Sequence, residues 1–478
     1  MLETFFKDSF IYSIPAILSR GITLFLIPFY TRVLSPEDFG SLDLFIAFAT
    51  LVNMTIALEV SQGLARFYAA EEDERNRTLF ASSAFWFTSL CYLVFLIVML
   101  FFSNTLSEFI MGRSNLELAF KVGVFYIFSN GLFYLIQSQF RWELRSIDFA
   151  IVSLVMALAN ALIGVWLAYF LNLGLIGLLI GMACGSIFAG ILGLWWLRKS
   201  FRFCFSFKKL REMLHYSTPL VISGFAVWLS MYVDRLMINH FLSIEDVGLY
   251  GIGFRISSIA GLAIFGFQGA LTPLVFANYK NPDTPAQLEK IFRIFIFFAL
   301  FMFLFLTLFS LEIMKLMTTP AYYEASFLMI YLVPAILFSN MYIFAPGINI
   351  AKKTHYIVWI SFLGGFLNIA LNFILIPLLG ISGAALATMT SYAAIFMAYM
   401  VLGQRYYPIP HNWSKIFIAC IIAVIIAVVL PQLDFLKGFG LIINFIVLTG
   451  FMFILISLGM LNKNEILIGL HFFRRRFK

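Results

Sequence analysis

The chain has 478 residues, of which 62% are hydrophobic and only 12% charged, and its mean hydropathy is +0.96. Soluble domains carry about 25% charged residues, so this composition excludes a water-soluble globular protein and argues for a chain dissolved in lipid. The formal net charge of +8 invites nucleic acid as a partner, a reading that the placement of the charges removes below.

Apolar runs long enough to cross about 30 Å of hydrocarbon as helices follow one another from end to end. Fourteen spans are predicted, near residues 9–30, 41–65, 79–103, 119–139, 149–171, 174–197, 213–238, 248–277, 289–311, 323–350, 357–378, 381–403, 415–430 and 438–461. The run beginning near Ser9 is only the first of many, so it is not expected to be a cleavable signal. The expected class is an all-α polytopic membrane protein.

Charged groups at membrane depth cost roughly 2.5–3.5 kcal/mol each on insertion scales, which makes each one a functional candidate. Span 1 carries Pro15 and, mid-span, Arg20, expected to line a cationic pathway rather than serve a structural ion pair. Span 2 places Asp43 near its outer end, where a solvated position is expected. Glu59, in the inner third of the same span, suits proton or sodium coupling and equally suits pairing with a neighbouring polar group. In span 6, Gly177, Gly181 and Gly185 share one face, the pattern of close helix contact.

Span 7 contains Pro219, at a place matching Pro15, together with Asp234 and Arg235. Each proline removes a backbone hydrogen bond and permits a bend. Adjacent helical residues point about 100° apart, so Asp234 and Arg235 do not simply neutralise each other. Asp234 is expected to pair across a cavity with Arg20 or Arg255, while Arg235 either lines that cavity or reaches the outer headgroups. Span 8 carries Arg255 at a depth close to that of Arg20. Trp228, Tyr232 and Tyr250 are candidates to offer flat faces to sugar rings.

An internal repeat organises these spans. Tyr12-Ser13-Ile14-Pro15 returns as Tyr216-Ser217-Thr218-Pro219, and Leu34-Ser35-Pro36-Glu37-Asp38-Phe39-Gly40 as Leu242-Ser243-Ile244-Glu245-Asp246-Val247-Gly248. Gln62-Gly63 recurs as Gln268-Gly269, and Leu173-Gly174-Leu175-Ile176-Gly177 as Leu379-Gly380-Ile381-Ser382-Gly383. The offsets of 204, 208, 206 and 206 define one period. Six spans per half make the repeat parallel, with a site expected between halves near the midplane. The expected organisation is an N-lobe over 1–205, a C-lobe over 206–405, and two unpartnered helices with a basic tail over 406–478.

With the N-terminus inside, 24 of the 32 Lys and Arg fall in inner segments and 5 in outer ones. This bias predicts cytoplasmic termini. The basic excess then faces an anionic leaflet, and nucleic acid is not expected as a partner. Cys91, Cys184, Cys204 and Cys420 form no C-x-x-C, so neither a disulfide nor a metal site is expected. No P-loop, H-E-x-x-H or D-x-D motif occurs, and the loops are short; this argues against an ATP-driven pump, a membrane glycosyltransferase or any other enzyme, and no cofactor is expected.

The segment Asn368-Ile369-Ala370-Leu371-Asn372-Phe373-Ile374-Leu375-Ile376-Pro377, running into Leu379-Gly380-Ile381-Ser382-Gly383-Ala384-Ala385, resembles polysaccharide flippases of the multidrug/oligosaccharidyl-lipid/polysaccharide exporter superfamily. Thr31 to Gly40 resembles the first outer turn of the same group, and the likeness covers about residues 9–405. The resemblance implies twelve core helices in two lobes around a central cavity. It implies lipid-linked oligosaccharide as substrate, as in Wzx-type O-antigen and capsule-repeat flippases of the bacterial inner membrane, with polymerase and chain-length machinery as further partners. Arginines on helices 1, 2 and 8 line the cavity of related lipid II flippases; Arg20 and Arg255 correspond by helix and depth, whereas helix 2 lacks a mid-span arginine here. A multidrug or toxin exporter of the same superfamily is the alternative.

Overall fold

The computed structural model describes residue 18 and residues 21–432 and 440–461, with the side chains of 263, 265, 266, 269, 270, 272 and 273 left aside. Among these residues the chain is helical and without strands, as lipid requires, because each backbone polar group must find its partner inside its own segment. Among the described residues eleven helices are long and apolar enough to cross a bilayer, or twelve when one bent pair counts as a single span. Of the fourteen expected spans, the first and the last lie partly outside the described residues, and Pro15 and Arg20 lie outside them.

Two compact units divide the chain, residues 1–251 and 252–478. The first contains α1 (Gly21–Val33), α2 (Pro36–Thr55), α3 (Val60–Ala70), α4 (Glu74–Phe101), α5 (Ser103–Met111), α6 (Glu117–Trp142), α7 (Ser146–Val165), α8 (Gly174–Trp196), α9 (Phe207–Phe241) and the start of α10 (Ile244–Ser257). The motif that recurs after the leading span of each repeat, at Leu34–Gly40 and Leu242–Gly248, is a helix cap. Ser35 Oγ accepts from the Asp38 N–H at 3.2 Å while the Asp38 carboxylate accepts from the Ser35 N–H at 3.4 Å. Ser243 Oγ likewise accepts from the Asp246 N–H at 3.1 Å. These bonds satisfy orphan donors at the starts of α2 and α10.

The expected second span is broken rather than continuous. Leu58 and Glu59 both have φ of 51°, and α2 and α3 meet at a bend of 42°. Left-handed backbone is costly for residues with a Cβ. The glycine face of span 6 does what its spacing predicts: a Cβ on Gly177 would lie 2.6 Å from the Ala168 nitrogen, and one on Gly185 would lie 2.8 Å from the Met156 carbonyl. Small residues therefore let α8 press against α7 and the π-helical turn 166–170 that extends it. Phe133, Ile136, Phe140, Val152, Ala189 and Leu197 form a core where α6, α7 and α8 meet.

The second unit holds the end of α10, α11 (Ile259–Asn278), α12 (Thr284–Leu308), α13 (Ser310–Met317), α14 (Met329–Asn340), α15 (Gly347–Ile350), α16 (His355–Leu379), α17 (Ile381–Tyr406), α18 (Trp413–Val429) and α19 (Gly440–Ser457). The expected eighth span is thus two helices, α10 and α11, parted at Ser258. The Asn368–Asn372 stretch lies in α16, where Asn372 donates to the Asn368 carbonyl at 3.0 Å. Thr388 of α17 stands 3.5 Å from the Asn368 amide. The two additional helices dock on α12: Arg293 Nη1 donates to the Gly459 and Met460 carbonyls at 3.0 and 2.9 Å, and Asn444 donates to the Leu308 carbonyl at 2.8 Å.

Short helices α5 and α13 were not foreseen. They follow the long α4 and α12, and their first residues, Ser103 and Ser310, are one repeat apart. Ser103, Ser107 and Met111 are the buried residues of α5, spaced four apart on one face. Segments of nine and eight residues are too short to register beside hydrophobic runs that cross a bilayer.

Candidate translocation site

Within the first unit, α2, α6 and the α2–α3 break enclose a cavity of about 280 Å³. Its wall carries Thr50, Asn53, Glu59, Tyr126, Asn130 and Tyr134 among apolar neighbours. The polar groups are organised. Asn53 Nδ2 donates to Asn130 Oδ1 at 3.0 Å, and the Tyr92 hydroxyl donates to Asn53 Oδ1 at 2.9 Å. Tyr92 is buried and fits because Gly131 has no Cβ; a methyl there would collide with the tyrosine ring. Thr50 and Tyr232 share a hydrogen bond of 3.2 Å, joining α2 to α9. Glu59 reaches this chamber from the left-handed turn, so the strained backbone and the cavity's acid are the same feature.

Further along α2 lies an ion pair. Arg235 Nε stands 3.3 Å from Asp43 Oδ2, with Arg235 8% and Asp43 4% exposed. Arg235 Nη1 also donates to the Met231 carbonyl at 3.2 Å, and its guanidinium lies 5.6 Å from the ring centres of Tyr232 and Tyr250. A charge this deep survives only with such compensation. Asp43 is therefore no solvated helix end, correcting the expectation for it, and Arg235 does not extend to outer headgroups. Asp234 accepts from the Tyr250 hydroxyl at 2.9 Å on the adjacent face, a partner not foreseen from sequence.

Of the aromatic candidates, Trp228 and Tyr250 are buried, and Trp228 donates to the Ala47 carbonyl at 2.8 Å. Both are packed inside the first unit rather than offering open faces to a sugar. Arg255 sits in the last turn of α10, within the second unit, and Pro219 lies inside α9. Sequence reasoning missed the Tyr92–Asn53–Asn130 network because it followed ionisable residues. Asparagines inside apolar spans were the available signal, since a neutral amide in hydrocarbon also needs a partner.

The family described as polysaccharide biosynthesis protein matches residues 5–279, more than half of the chain, and the MatE family matches residues 219–374. Lsg locus putative protein 1 of Haemophilus influenzae is 23% identical over 288 residues, 59% of this chain and 68% of that protein. The probable low-salt glycan biosynthesis flippase Agl15 of Haloferax volcanii is 26% identical over 261 residues, 54% of each chain. Among solved structures, lipid II flippase MurJ in an inward closed conformation aligns with a TM-score of 0.65 at 18% identity, covering 92% of this chain and 98% of that one. An inward-facing multidrug resistance transporter of the MATE family gives 0.61 at 16% identity, covering 83% and 97%. At such identities the structural likeness speaks for the fold alone: a polytopic helical membrane protein built like these two.

Proposed function

The chain belongs to the polysaccharide biosynthesis protein family, and from that premise we propose that it is a flippase carrying polyprenyl-diphosphate-linked oligosaccharide repeat units from the cytoplasmic to the outer leaflet. The proposed destination is O-antigen, capsule or exopolysaccharide, made with a polymerase and chain-length machinery. The observation that carries the reading is the hydrogen-bonded polar chamber at Asn53, Glu59 and Asn130, held among membrane-spanning helices. A diphosphate and its sugar hydroxyls cannot cross hydrocarbon bare, because each unpaired polar group costs several kcal/mol. The prenyl tail meanwhile remains at ease in lipid.

In this proposal the lobes 1–205 and 206–405 rock between two states, with bends at Pro15 and Pro219. Arg20 and Arg255 hold the diphosphate, and Glu59 couples transport to an ion. Asp234 and Arg235, engaged with Tyr250 and Asp43, frame the route rather than grip the cargo. We place the protein in a bacterial inner membrane with both termini cytoplasmic, supported by the bias in Lys and Arg. The second reading, a multidrug exporter, is favoured by the MatE match over residues 219–374.

The test is flipping of a fluorescent polyprenyl-diphosphate oligosaccharide in proteoliposomes, comparing wild type with Arg20→Ala, Arg255→Ala and Glu59→Gln. Transport by wild type that collapses in both arginine variants, with ion-gradient dependence lost in Glu59→Gln, supports the proposal. No lipid flipping, with drug efflux from the same vesicles, selects the exporter.

A further inference from the structure

We propose that the first four turns of α9 carry a loading site for the diphosphate of a prenyl-linked sugar, with Arg211 and His215 as its polar contacts. The proposal rests on the flippase reading and adds to it a site outside the central chamber.

Helix α9 has 35 residues, about 52 Å at 1.5 Å per residue, against about 30 Å of hydrocarbon. With its span at residues 213–238, the turn before Met213 extends into the headgroup region and His215 to Pro219 lie just within the span, on the side that the charge bias assigns to the cytoplasm. Two opposite faces are distinguishable there. Lys209, Met213 and Tyr216 meet α3: Lys209 pairs with Glu71 at 3.6 Å, a Cβ on Gly63 would lie 2.6 Å from the Met213 carbonyl, and Arg66 lies over the Tyr216 ring at 4.9 Å. Residues two positions on point about 200° away. Arg211, His215 and Thr218 thus share the other face, at the i, i+4, i+7 spacing of one helical stripe.

That second face lines an open cavity of about 500 Å³, within the size range of small-molecule sites. Phe207, Leu210, Leu214 and Pro219 make its surface largely apolar, and among the described residues Arg211 and His215 are its titratable groups, with no acid in the lining. Both are exposed, and among the described residues neither has a salt bridge or a side-chain hydrogen bond. Pro219 also deprives the His215 carbonyl of its helical donor. An apolar slot with a guanidinium fork, an imidazole and a free carbonyl complements an isoprenoid joined through diphosphate to a hydroxyl-bearing sugar.

The segment before α9 holds this face at a set depth. Ser82 Oγ accepts from the Arg202 N–H and Ser83 Oγ from the Ser206 N–H, each at 2.9 Å, and Trp86 Nε1 donates to the Arg202 carbonyl at 3.0 Å. Ser206 then caps α9. Between these anchors Phe203 is 95% exposed, with Phe205 and Phe207 also exposed, the aromatic placement that suits a membrane interface.

The experiment measures binding of radiolabelled farnesyl diphosphate to the full chain in phosphatidylcholine nanodiscs. Arg211→Gln should weaken binding about tenfold or more, as loss of a charge-assisted contact does. Arg211→Lys should restore part of it, and Lys208→Gln should leave it unchanged. Inorganic diphosphate alone should compete poorly, because it lacks the apolar part. Unaltered binding in Arg211→Gln, with its thermal stability equal to wild type, overturns the site. Displacement of the probe by phosphatidylglycerol in an Arg211-dependent manner also overturns it, in favour of a general anionic-phospholipid site. The two proposals fail separately: Arg211-dependent binding without flipping defeats the flippase reading, and flipping with Arg211-independent binding defeats the loading site.

Discussion

Gly40 and Gly248, equivalent positions in the two repeats, pack the first turns of α2 and α10 against each other in a reciprocal contact. A Cβ on Gly40 would collide with the Ile244 carbonyl, and one on Gly248 with the carbonyl of Pro36, the residue that corresponds to Ile244. The Gly248 Cβ would also come to 3.0 Å from the Gly40 nitrogen. Both obstacles are backbone atoms in capped helical turns, which have no rotamer with which to yield.

Gly40→Ala and Gly248→Ala should therefore each lower the midpoint of thermal unfolding, with a cost of about 1–3 kcal/mol typical of overpacking. The double variant should fall short of the sum, because the first methyl already parts the helices. Equal, strictly additive losses would show that the two glycines act independently.

The Asp43–Arg235 pair should behave as a buried ion pair. Arg235→Ala leaves a carboxylate that is 4% exposed without its guanidinium, a change that costs about 3–5 kcal/mol. Asp43→Ala should cost a comparable amount, and removing both should cost less than either loss suggests alone. A double-mutant cycle by thermal unfolding in detergent reads the coupling.

Arg293 anchors the end of α19 through the Gly459 and Met460 carbonyls, and Glu289 lies 3.4 Å from its Nε. Arg293→Ala should remove charged hydrogen bonds worth about 1.5–3 kcal/mol and release the turn that follows α19. Hydrogen exchange should rise in α19 while α6 and α8 keep their protection.

His411, in the loop between α17 and α18, lies 4.6 Å from Phe292 and 5.1 Å from Trp413 between ring centres. Burial holds its imidazole down at about 4, from an ordinary value of 6.5. The unfolded chain thus binds more protons than the folded one between these values, so stability rises with pH across that window. Its contribution is complete above pH 6.5 and is lost as pH falls toward 4. His411→Phe should flatten this part of a melting-temperature profile taken from pH 7 to pH 4.5.

Local pattern carried the architecture. Long apolar runs, the Ser-x-x-Asp caps of α2 and α10 and the glycine spacing of α8 are properties of residues within a few turns of each other, and each is legible from composition and period. The family likeness was legible for the same reason, through contiguous stretches such as Asn368 to Ala385.

The pairings in the chamber and in the ion pair beyond it obey no local spacing. Asp43 meets Arg235 across 192 positions and Asn53 meets Asn130 across 77; a buried charge or amide takes whatever partner the packing brings within reach, and sequence distance does not enter that choice. Leu58 and Glu59 adopt left-handed backbone without a glycine to announce it, because the surrounding helices hold the turn that their own propensities oppose. Sequence by itself determined that this chain spans a membrane many times, with a repeat. Only tertiary structure decided which of its polar residues are wall, which are clasp and which face an open cavity.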